Sequence, residues 1–463
     1  MSALTAGPRA IHLVGIGGAG MSALARLAAQ AGYAVSGTDR SDGEAMDALR
    51  ALGVDARVGH AADAIPLGVT ALVVSTAIAP DNPELAEAEA RGIRVMHRAD
   101  LLAELMSTRR GLAVAGAHGK STTSAMLTLA LGDASACVGA TIDGGDGTGA
   151  RWGAGEWFVA EADESDRSLL ALSPEAAILL NVDHDHHATY ASIDDVEAVF
   201  VEFLRGLPDH GVVVAGDEPR ARACAALSGR PVVTVGTDGD WRVEHTGDGR
   251  ATLHHERHGS VPLALAVPGR HNVTNAACAL ALAVWCGVSP ALAASRLGAF
   301  RGVGRRFELR GEGGGVTVVD DYAHHPAELA ATLAAARERT AGRVVVVFQP
   351  HLPSRTRALG SELGRALGGA DVAVVTDTYL AREPADPEAT GRVVADAVPA
   401  PTEVVYAPTL AEARDAALAR VRPGDLLMTV GAGDVTSLGQ ELVRSVQKLP
   451  PDGAAPDGVP RTP

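Results

Sequence analysis

The sequence predicts an α/β protein of three domains whose sheets are mostly parallel. Three observations carry this reading. The chain has 463 residues, more than one hydrophobic core usually supports, and 47% of them are hydrophobic, enough for several cores. Short apolar runs alternate with helical stretches, the pattern of βαβ units. Two of those runs lead directly into glycine turns that open helices, one after Val14 and one after Ala115.

Taken in order, Ile11 to Val14 reads as a strand running into Gly15-Ile16-Gly17-Gly18-Ala19-Gly20, followed by a helix from Met21 to Ala31 and a strand around Tyr33 to Gly37. Strand-like runs at Ala71 to Ser75 and Ile93 to Met96 complete a parallel sheet that ends near residue 107. A second unit opens with the apolar run Gly111 to Ala115 and a helix from Ser124 to Gly132. Its further strands are expected at Trp157 to Ala160, Ala176 to Asn181 and Val212 to Ala215, with antiparallel pieces appended between Val232 and Val267. After Gly302 to Arg306 a third α/β unit begins, with strands at Val316 to Val319, Val344 to Phe348, Val372 to Thr376, Glu403 to Tyr406 and Leu426 to Val430. The expected domains are therefore 1–107, 108–303 and 304–448, and the Pro- and Gly-rich residues 449–463 read as a disordered tail.

Composition narrows the function. A formal net charge of −16 argues against a nucleic-acid partner, so any polyanionic ligand must be held locally. The four cysteines, Cys137, Cys224, Cys278 and Cys286, are too scattered for a disulfide framework or a CxxC metal site and are expected to be buried free thiols. Residues 1–20 lack a charged and then apolar leader pattern, and no apolar run is long enough to span a bilayer. A soluble cytoplasmic protein without a membrane partner is expected, as a monomer or a homodimer.

Only two of the 40 Lys and Arg residues are lysines, Lys120 and Lys448. Lys120 sits in Gly116-Ala117-His118-Gly119-Lys120-Ser121-Thr122-Thr123. Where arginine has taken almost every other basic position, a retained lysine marks a place where a compact ammonium cannot be exchanged for a planar guanidinium. A phosphate-cradling loop is such a place, and the strand before it and helix after it complete an anion site. The longer form of such loops has a glycine where Val114 stands, so the pattern here is the shorter Gly-x-x-Gly-Lys-Ser.

The first glycine cluster is less specific. Gly15, Gly17 and Gly20 followed by Asp39 would also suit a dinucleotide-binding dehydrogenase with Asp39 on the ribose. Two diphosphate-type loops in one chain favour an enzyme that couples a nucleotide-linked substrate to a nucleotide-driven step, because hydride transfer has no use for the second loop.

Glu161-Ala162-Asp163-Glu164-Ser165-Asp166 follows a strand of the same unit as Lys120 and offers the oxygen ligands magnesium wants on a triphosphate. Asn181-Val182-Asp183-His184-Asp185-His186-His187 adds imidazoles at the next strand end, and a nitrogen ligand there would admit manganese as well. Asn272 and Asn275 lie one helical turn apart and could read an adenine edge, or Asn272 could cap the helix. In the third unit, the segments Asp320 to Pro326 and His351 to Arg357 each follow a strand, the position where open α/β sheets bind ligands.

Together these stretches resemble the Mur ligase family over residues 10–445. The resemblance is carried by Gly15 to Ser22, Gly116 to Thr123, Glu161 to Asp166, Asn181 to His186, His271 to Asn275, Gly304 to Glu308, Asp320 to Pro326, Gln349 to Arg357 and Gly431 to Asp434. It implies a Rossmann-like UDP-binding domain, a central P-loop-type ATPase domain and a C-terminal Rossmann-like domain. It implies ATP and Mg2+ (with Mn2+ as a substitute) as cofactors and UDP-N-acetylmuramate and L-alanine as partners, joined through an acyl phosphate. By resemblance Lys120, Gly116, Gly119, Ser121 and Thr122 hold phosphates, Asn272, Asn275 and Arg305 serve the nucleotide, and Ser121, Glu161 and His186 hold metal. Gly15, Gly17, Gly18, Gly20, Asp39, Ser75, His97 and His324 are implied in substrate binding, and Lys120, His325 and Arg355 in catalysis. Two departures stand out: Leu352 replaces an arginine common after Gln-Pro-His, so that contact is either absent or supplied by Arg357 or Arg382, and Ala323 replaces a common glycine.

Within the family, later-step ligases use a carbamylated lysine in the central domain. No lysine lies between Lys120 and Lys448, which leaves the alanine-adding activity or the recycling of whole tripeptides. The opening Gly-Ile-Gly-Gly-Ala-Gly-Met-Ser favours alanine addition. An NAD-dependent oxidoreductase and a non-catalytic nucleotide sensor are the more distant alternatives.

Overall fold

The structure is a computed structural model that describes residues 9–141, 149–185, 189–247, 249–381 and 383–448. The sequence predicted to be a disordered tail lies outside the described residues, as do His186 and Arg382. The chain is α/β throughout, with three domains each built on one sheet. The first two sheets belong to one compact unit. The third belongs to a second unit that also takes in residues 245–251 and 265–273.

The first sheet contains β1 (Ala10–Val14), β2 (Ala34–Asp39), β3 (Asp55–Val58), β4 (Ala71–Val74) and β5 (Arg94–His97). Their order is β3-β2-β1-β4-β5 and every pairing is parallel. The chain order reverses beside β1, which is where open α/β sheets place a ligand. The helix Ala19–Gln30 follows β1 and buries Met21, Leu24, Ala25 and Leu27 along one stripe, the i, i+3, i+4 spacing of a core-facing helix. Each buried Leu there contributes roughly 2 kcal/mol by transfer from water.

The second sheet is built from β6 (Arg110–Ala115), β7 (Ser135–Cys137), β8 (Ala150–Arg151), β9 (Trp157–Glu161), β10 (Ala176–Leu179), β11 (Val213–Ala215), β12 (Val232–Gly236), β13 (Trp241–Gly247), β14 (Arg250–His255) and β15 (Gly259–Ala264). Strand β6 lies between β10 and β9, both parallel to it. Its residues Leu112 to Ala115 are fully buried, as expected of a near-continuous apolar run covered on both faces. Antiparallel pieces were expected between Val232 and Val267, the stretch that holds β12 to β15. Strands β12 and β13 instead pair in parallel, over Val235↔Trp241 and Gly236↔Arg242.

The third sheet has the order β16-β17-β21-β18-β19-β20, from β16 (Glu308–Gly313), β17 (Val316–Asp321), β18 (Val344–Phe348), β19 (Val372–Val375), β20 (Glu403–Tyr406) and β21 (Leu426–Val430). Strand β16 is antiparallel to β17 and was not expected from the sequence. Its alternation is interrupted by Gly311, which has φ +154° at a register shift and lets the edge strand bulge.

No helix among the described residues is long and apolar enough to cross a membrane. All four cysteines are free thiols, with Cys224 and Cys278 buried and Cys137 and Cys286 half-buried. Burial pushes the Cys278 thiol up to about 12, which keeps it protonated and unreactive.

Candidate active site

The turn after β6 bends at two glycines with positive φ, Gly116 at +135° and Gly119 at +83°. A Cβ at Gly119 would stand 3.1 Å from the Asn275 amide, so with the positive φ a side chain here is strained and crowds Asn275. Asn181, just after β10, pins the turn. Its Oδ1 accepts the His118 N–H at 2.8 Å, and its Nδ2 donates to the His118 carbonyl at 3.0 Å. The helix Lys120–Leu131 then starts at Gly119 with no side-chain cap, leaving its first N–H groups aimed out of the helix start. The helix begins four residues before the expected Ser124, because the Lys-Ser-Thr-Thr run already has helical backbone.

The Lys120 ammonium donates to both Glu164 carboxylate oxygens, at 2.7 and 2.9 Å, and to the Gly116 carbonyl at 2.7 Å. Burial alone would lower its pKa; the opposing charges of Glu164, Asp163 and Glu161 outweigh burial and raise it, so the group stays charged. Asp163 is pushed up by burial but pulled further down by Lys120, Ser165 and Arg98. Glu161 differs: burial holds its pKa above the ordinary value, although the Gly139 N–H donates to it at 2.7 Å and the Ser121 hydroxyl interacts with it.

Three carboxylates around one ammonium leave an excess of negative charge on hard oxygen donors. A half-buried carboxylate held above its ordinary pKa next to a hydroxyl suits a small divalent cation, so Glu161 and Ser121 fit the metal-holding role. His186, the third expected metal ligand, lies outside the described residues.

The first glycine loop is held from β2. The Thr38 carbonyl accepts the Gly15 and Ile16 N–H groups at 2.8 and 2.9 Å, and Asp39 Oδ2 accepts the Gly17 N–H at 3.0 Å. Asp39 therefore acts first as the anchor of the loop. The Gly18 N–H closes onto Gly15, so it is the helix start at Ala19, Gly20 and Met21 that presents N–H groups without intrahelical acceptors. Ser75 accepts the Ala77 N–H at 3.4 Å in the turn that brings Ile78 against Gly15. His97 caps the helix Arg98–Met106, with its own N–H donating to Asp100.

Arg98, not singled out from the sequence, lies beside the first glycine loop and the acidic stretch after β9. Its guanidinium is 3.6 Å from Asp163 and 3.5 Å from Asp166, and a Cβ on Gly20 would stand 3.6 Å from it. Asn275 packs on the turn at Gly119, whereas Asn272 donates to the Pro268 carbonyl at 2.6 Å. Asn272 thus braces the turn before its helix as a donor, not as an N-cap acceptor.

In the second unit Arg305 donates to the Gly431 carbonyl at 2.7 Å and lies over the Tyr322 ring. His324 Nδ1 donates to the Tyr322 carbonyl at 3.0 Å, since a carbonyl only accepts. His351 stacks on Tyr379, and Arg355, buried at the start of the helix Pro353–Leu367, lies 3.3 Å from His351 Nδ1. His325 is buried at the N-cap of the helix Pro326–Arg339. Arg357 is engaged on the surface by Asp386 at 3.0 Å and Glu388 at 3.1 Å. Leu352 has φ +69°.

This assembly of a glycine-held lysine, an acidic strand end and a second diphosphate-type loop defines a class of nucleotide-dependent ligase. Residues 10–110 match the Mur ligase family catalytic domain, 114–283 the Mur ligase middle domain and 305–433 the Mur ligase glutamate ligase domain. The chain belongs to the Mur ligase family. It is 50% identical over 451 residues to the UDP-N-acetylmuramate–L-alanine ligase of Kineococcus radiotolerans, covering 94% of this chain and 95% of that one. The enzyme of the same name from Streptomyces avermitilis is 45% identical over 452 residues, covering 94% and 97%. The crystal structure of the Thermotoga maritima UDP-N-acetylmuramate–alanine ligase superposes with a TM-score of 0.78 at 28% identity, covering 94% of this chain and 99% of that one.

Proposed function

We propose that this chain joins L-alanine to the carboxylate of UDP-N-acetylmuramate at the expense of ATP, a step of peptidoglycan precursor synthesis in the cytoplasm. The observation that carries the reading is the Lys120 ammonium, held in the glycine turn among Glu161, Asp163 and Glu164. The likeness to alanine ligases over nearly the whole chain supports the same substrates. In domain terms, 1–107 would bind the UDP-sugar, 108–303 ATP, and 304–448 the incoming amino acid.

A carboxylate is a poor electrophile because resonance spreads its charge, so it must first be activated. In the proposed reaction the sugar-borne carboxylate oxygen attacks the γ-phosphorus of ATP, the bond to the β-phosphate oxygen breaks, and ADP leaves. The alanine amine then attacks the acyl phosphate carbon and inorganic phosphate departs. Lys120 and the helix start after Gly116 and Gly119, with Ser121 and Thr122, offset charge on the transferring group, a task of positioning and electrostatics. Ser121, Glu161 and His186 would hold Mg2+, which when bound neutralises charge on the β- and γ-phosphate oxygens. Asn272, Asn275 and Arg305 serve the nucleotide. Gly15, Gly17, Gly18, Gly20, Asp39, Ser75, His97 and His324 serve the UDP-sugar. His325 takes the proton released by the amine, and Arg355 faces the acyl phosphate.

Phosphate release from ATP with UDP-N-acetylmuramate, compared with alanine and with the alanine-containing tripeptide as acceptor, tests this directly. Alanine should support turnover and the tripeptide should not; the reverse outcome would identify a recycling ligase. Lys120→Arg should lower kcat by about 10²-fold or more, as loss of one placed donor does. Near-normal turnover in that variant would remove the role given to Lys120.

A further inference from the structure

Beneath the first glycine loop lies a charged group that the reaction does not use. Glu84 is fully buried, yet it follows Pro83 in the first turn of the helix Pro83–Ala90, where Asn82 caps its N–H at 2.9 Å. Cap and proline fix the backbone, so the carboxylate points into the sheet from a defined place. Three side chains meet it there. His12 Nε2 of β1 lies 2.9 Å from one oxygen. The Thr38 hydroxyl donates to the other at 2.7 Å, and His60 Nδ1 lies 2.8 Å from that same oxygen. His12 continues to Ser36 of β2 at 2.8 Å.

Burial alone would push the Glu84 carboxyl up, but the hydrogen bonds from His12, Thr38 and His60 win and hold it below the ordinary range. An ionised carboxylate only accepts, so both facing imidazole nitrogens carry protons. Burying such a cluster is costly, and apolar side chains of equal volume would hold two strands together as well. What apolar side chains could not do is fix a hydroxyl. Thr38 is the residue whose carbonyl receives Gly15 and Ile16, and the Gly37 beside it has no side chain, because a Cβ would lie 2.4 Å from the Leu13 carbonyl and 2.6 Å from Ile16.

Resting on the UDP-sugar reading of that loop, we propose that Glu84 is a positioning residue for the diphosphate: through the Thr38 hydroxyl it sets the end of β2, and through the Thr38 carbonyl the loop that meets the ligand. His12 and His60 hold the carboxylate against Thr38, whose hydroxyl also lies 2.9 Å from His60 Nδ1.

The test is calorimetric titration of the full chain with UDP and, separately, with ADP. Thr38→Val removes the hydroxyl and keeps the shape and carbonyl. It should weaken UDP about tenfold, the effect of one hydrogen bond to a charged group, and leave ADP unchanged. Thr38→Ser should restore UDP affinity to within about twofold of the parent. Glu84→Gln should weaken UDP alike, and the double variant no further than either single change. UDP affinity unchanged in Thr38→Val, or UDP and ADP weakened equally, would overturn the inference while leaving the functional reading intact. A parent chain that binds ADP but no UDP would overturn both.

Discussion

Lys120 and Glu164 form an ion pair at 2.7 Å in which the glutamate side chain is 3% exposed and the lysine side chain 15% exposed. The group proposed to meet a triphosphate is thus already neutralised by the protein, and an incoming phosphate must take the place of Glu164. Glu164→Gln removes that competitor. Stability should fall by about 3 kcal/mol, the lower end for breaking a buried pair, because Asp163 and Glu161 remain. ATP affinity should rise roughly tenfold. Chemical denaturation and a nucleotide titration read the two effects separately, and weaker ATP binding would show that Glu164 supports the ligand.

Gly119→Ala should destabilise the central domain by about 1–2 kcal/mol, since the residue has φ +83°. Its Cβ would also meet Asn275 at 3.1 Å. Adding Asn275→Ala should recover the contact part of the loss and none of the backbone part. Thermal unfolding of the single and double variants checks this, and full recovery would contradict the backbone argument.

The positions of the two glycine turns were legible because each joins an apolar run to a helix, a local pattern that needs no knowledge of the rest of the chain. The strands that were expected in the three sheets followed from the same apolar runs, whereas β3, β7 and β8, short and without such a run, were not expected. The acidic stretch was legible as a site, but which carboxylate faces Lys120 was not, since Glu161, Asp163 and Glu164 lie within four residues and only the turn after β9 decides. Arg98 was hidden among many arginines. The Glu84 cluster joins residues 72 and 24 positions apart, pairings made by packing the helix Pro83–Ala90 and the loop after β3 against the sheet, which no spacing rule encodes. Strand β16 escaped notice because its glycines break the alternation that marks a strand.

Acid stability should depend on Asp163. Burial acts to raise its pKa, but Lys120, Ser165 and Arg98 bring it below the ordinary value. A depressed folded-state pKa means the unfolded chain binds the proton more readily. Its contribution is present above the unfolded value near ~3.9 and is lost as pH falls through the lower folded value. Asp163→Asn should flatten the acid limb of the stability curve below about pH 4. An unchanged limb would place the acid sensitivity elsewhere.

Glu161 carries the opposite sign. Burial raises its folded-state pKa, so its favourable contribution is present below the unfolded value and is lost as pH rises through the folded one. At neutral pH without divalent ions, Glu161→Gln should unfold at an equal or higher temperature than the parent. Added Mg2+ should raise the unfolding temperature of the parent and not that of the variant. Scanning calorimetry with and without Mg2+ separates these cases, and an equal Mg2+ response in both would move the metal away from Glu161.

The most direct measurement follows the oxygen atoms. UDP-N-acetylmuramate labelled with oxygen-18 in its carboxylate, supplied with ATP, Mg2+ and alanine, should pass one labelled oxygen to the inorganic phosphate of each turnover. Amide formation with unlabelled phosphate, or no ATP consumption at all, would contradict an acyl phosphate made at Lys120.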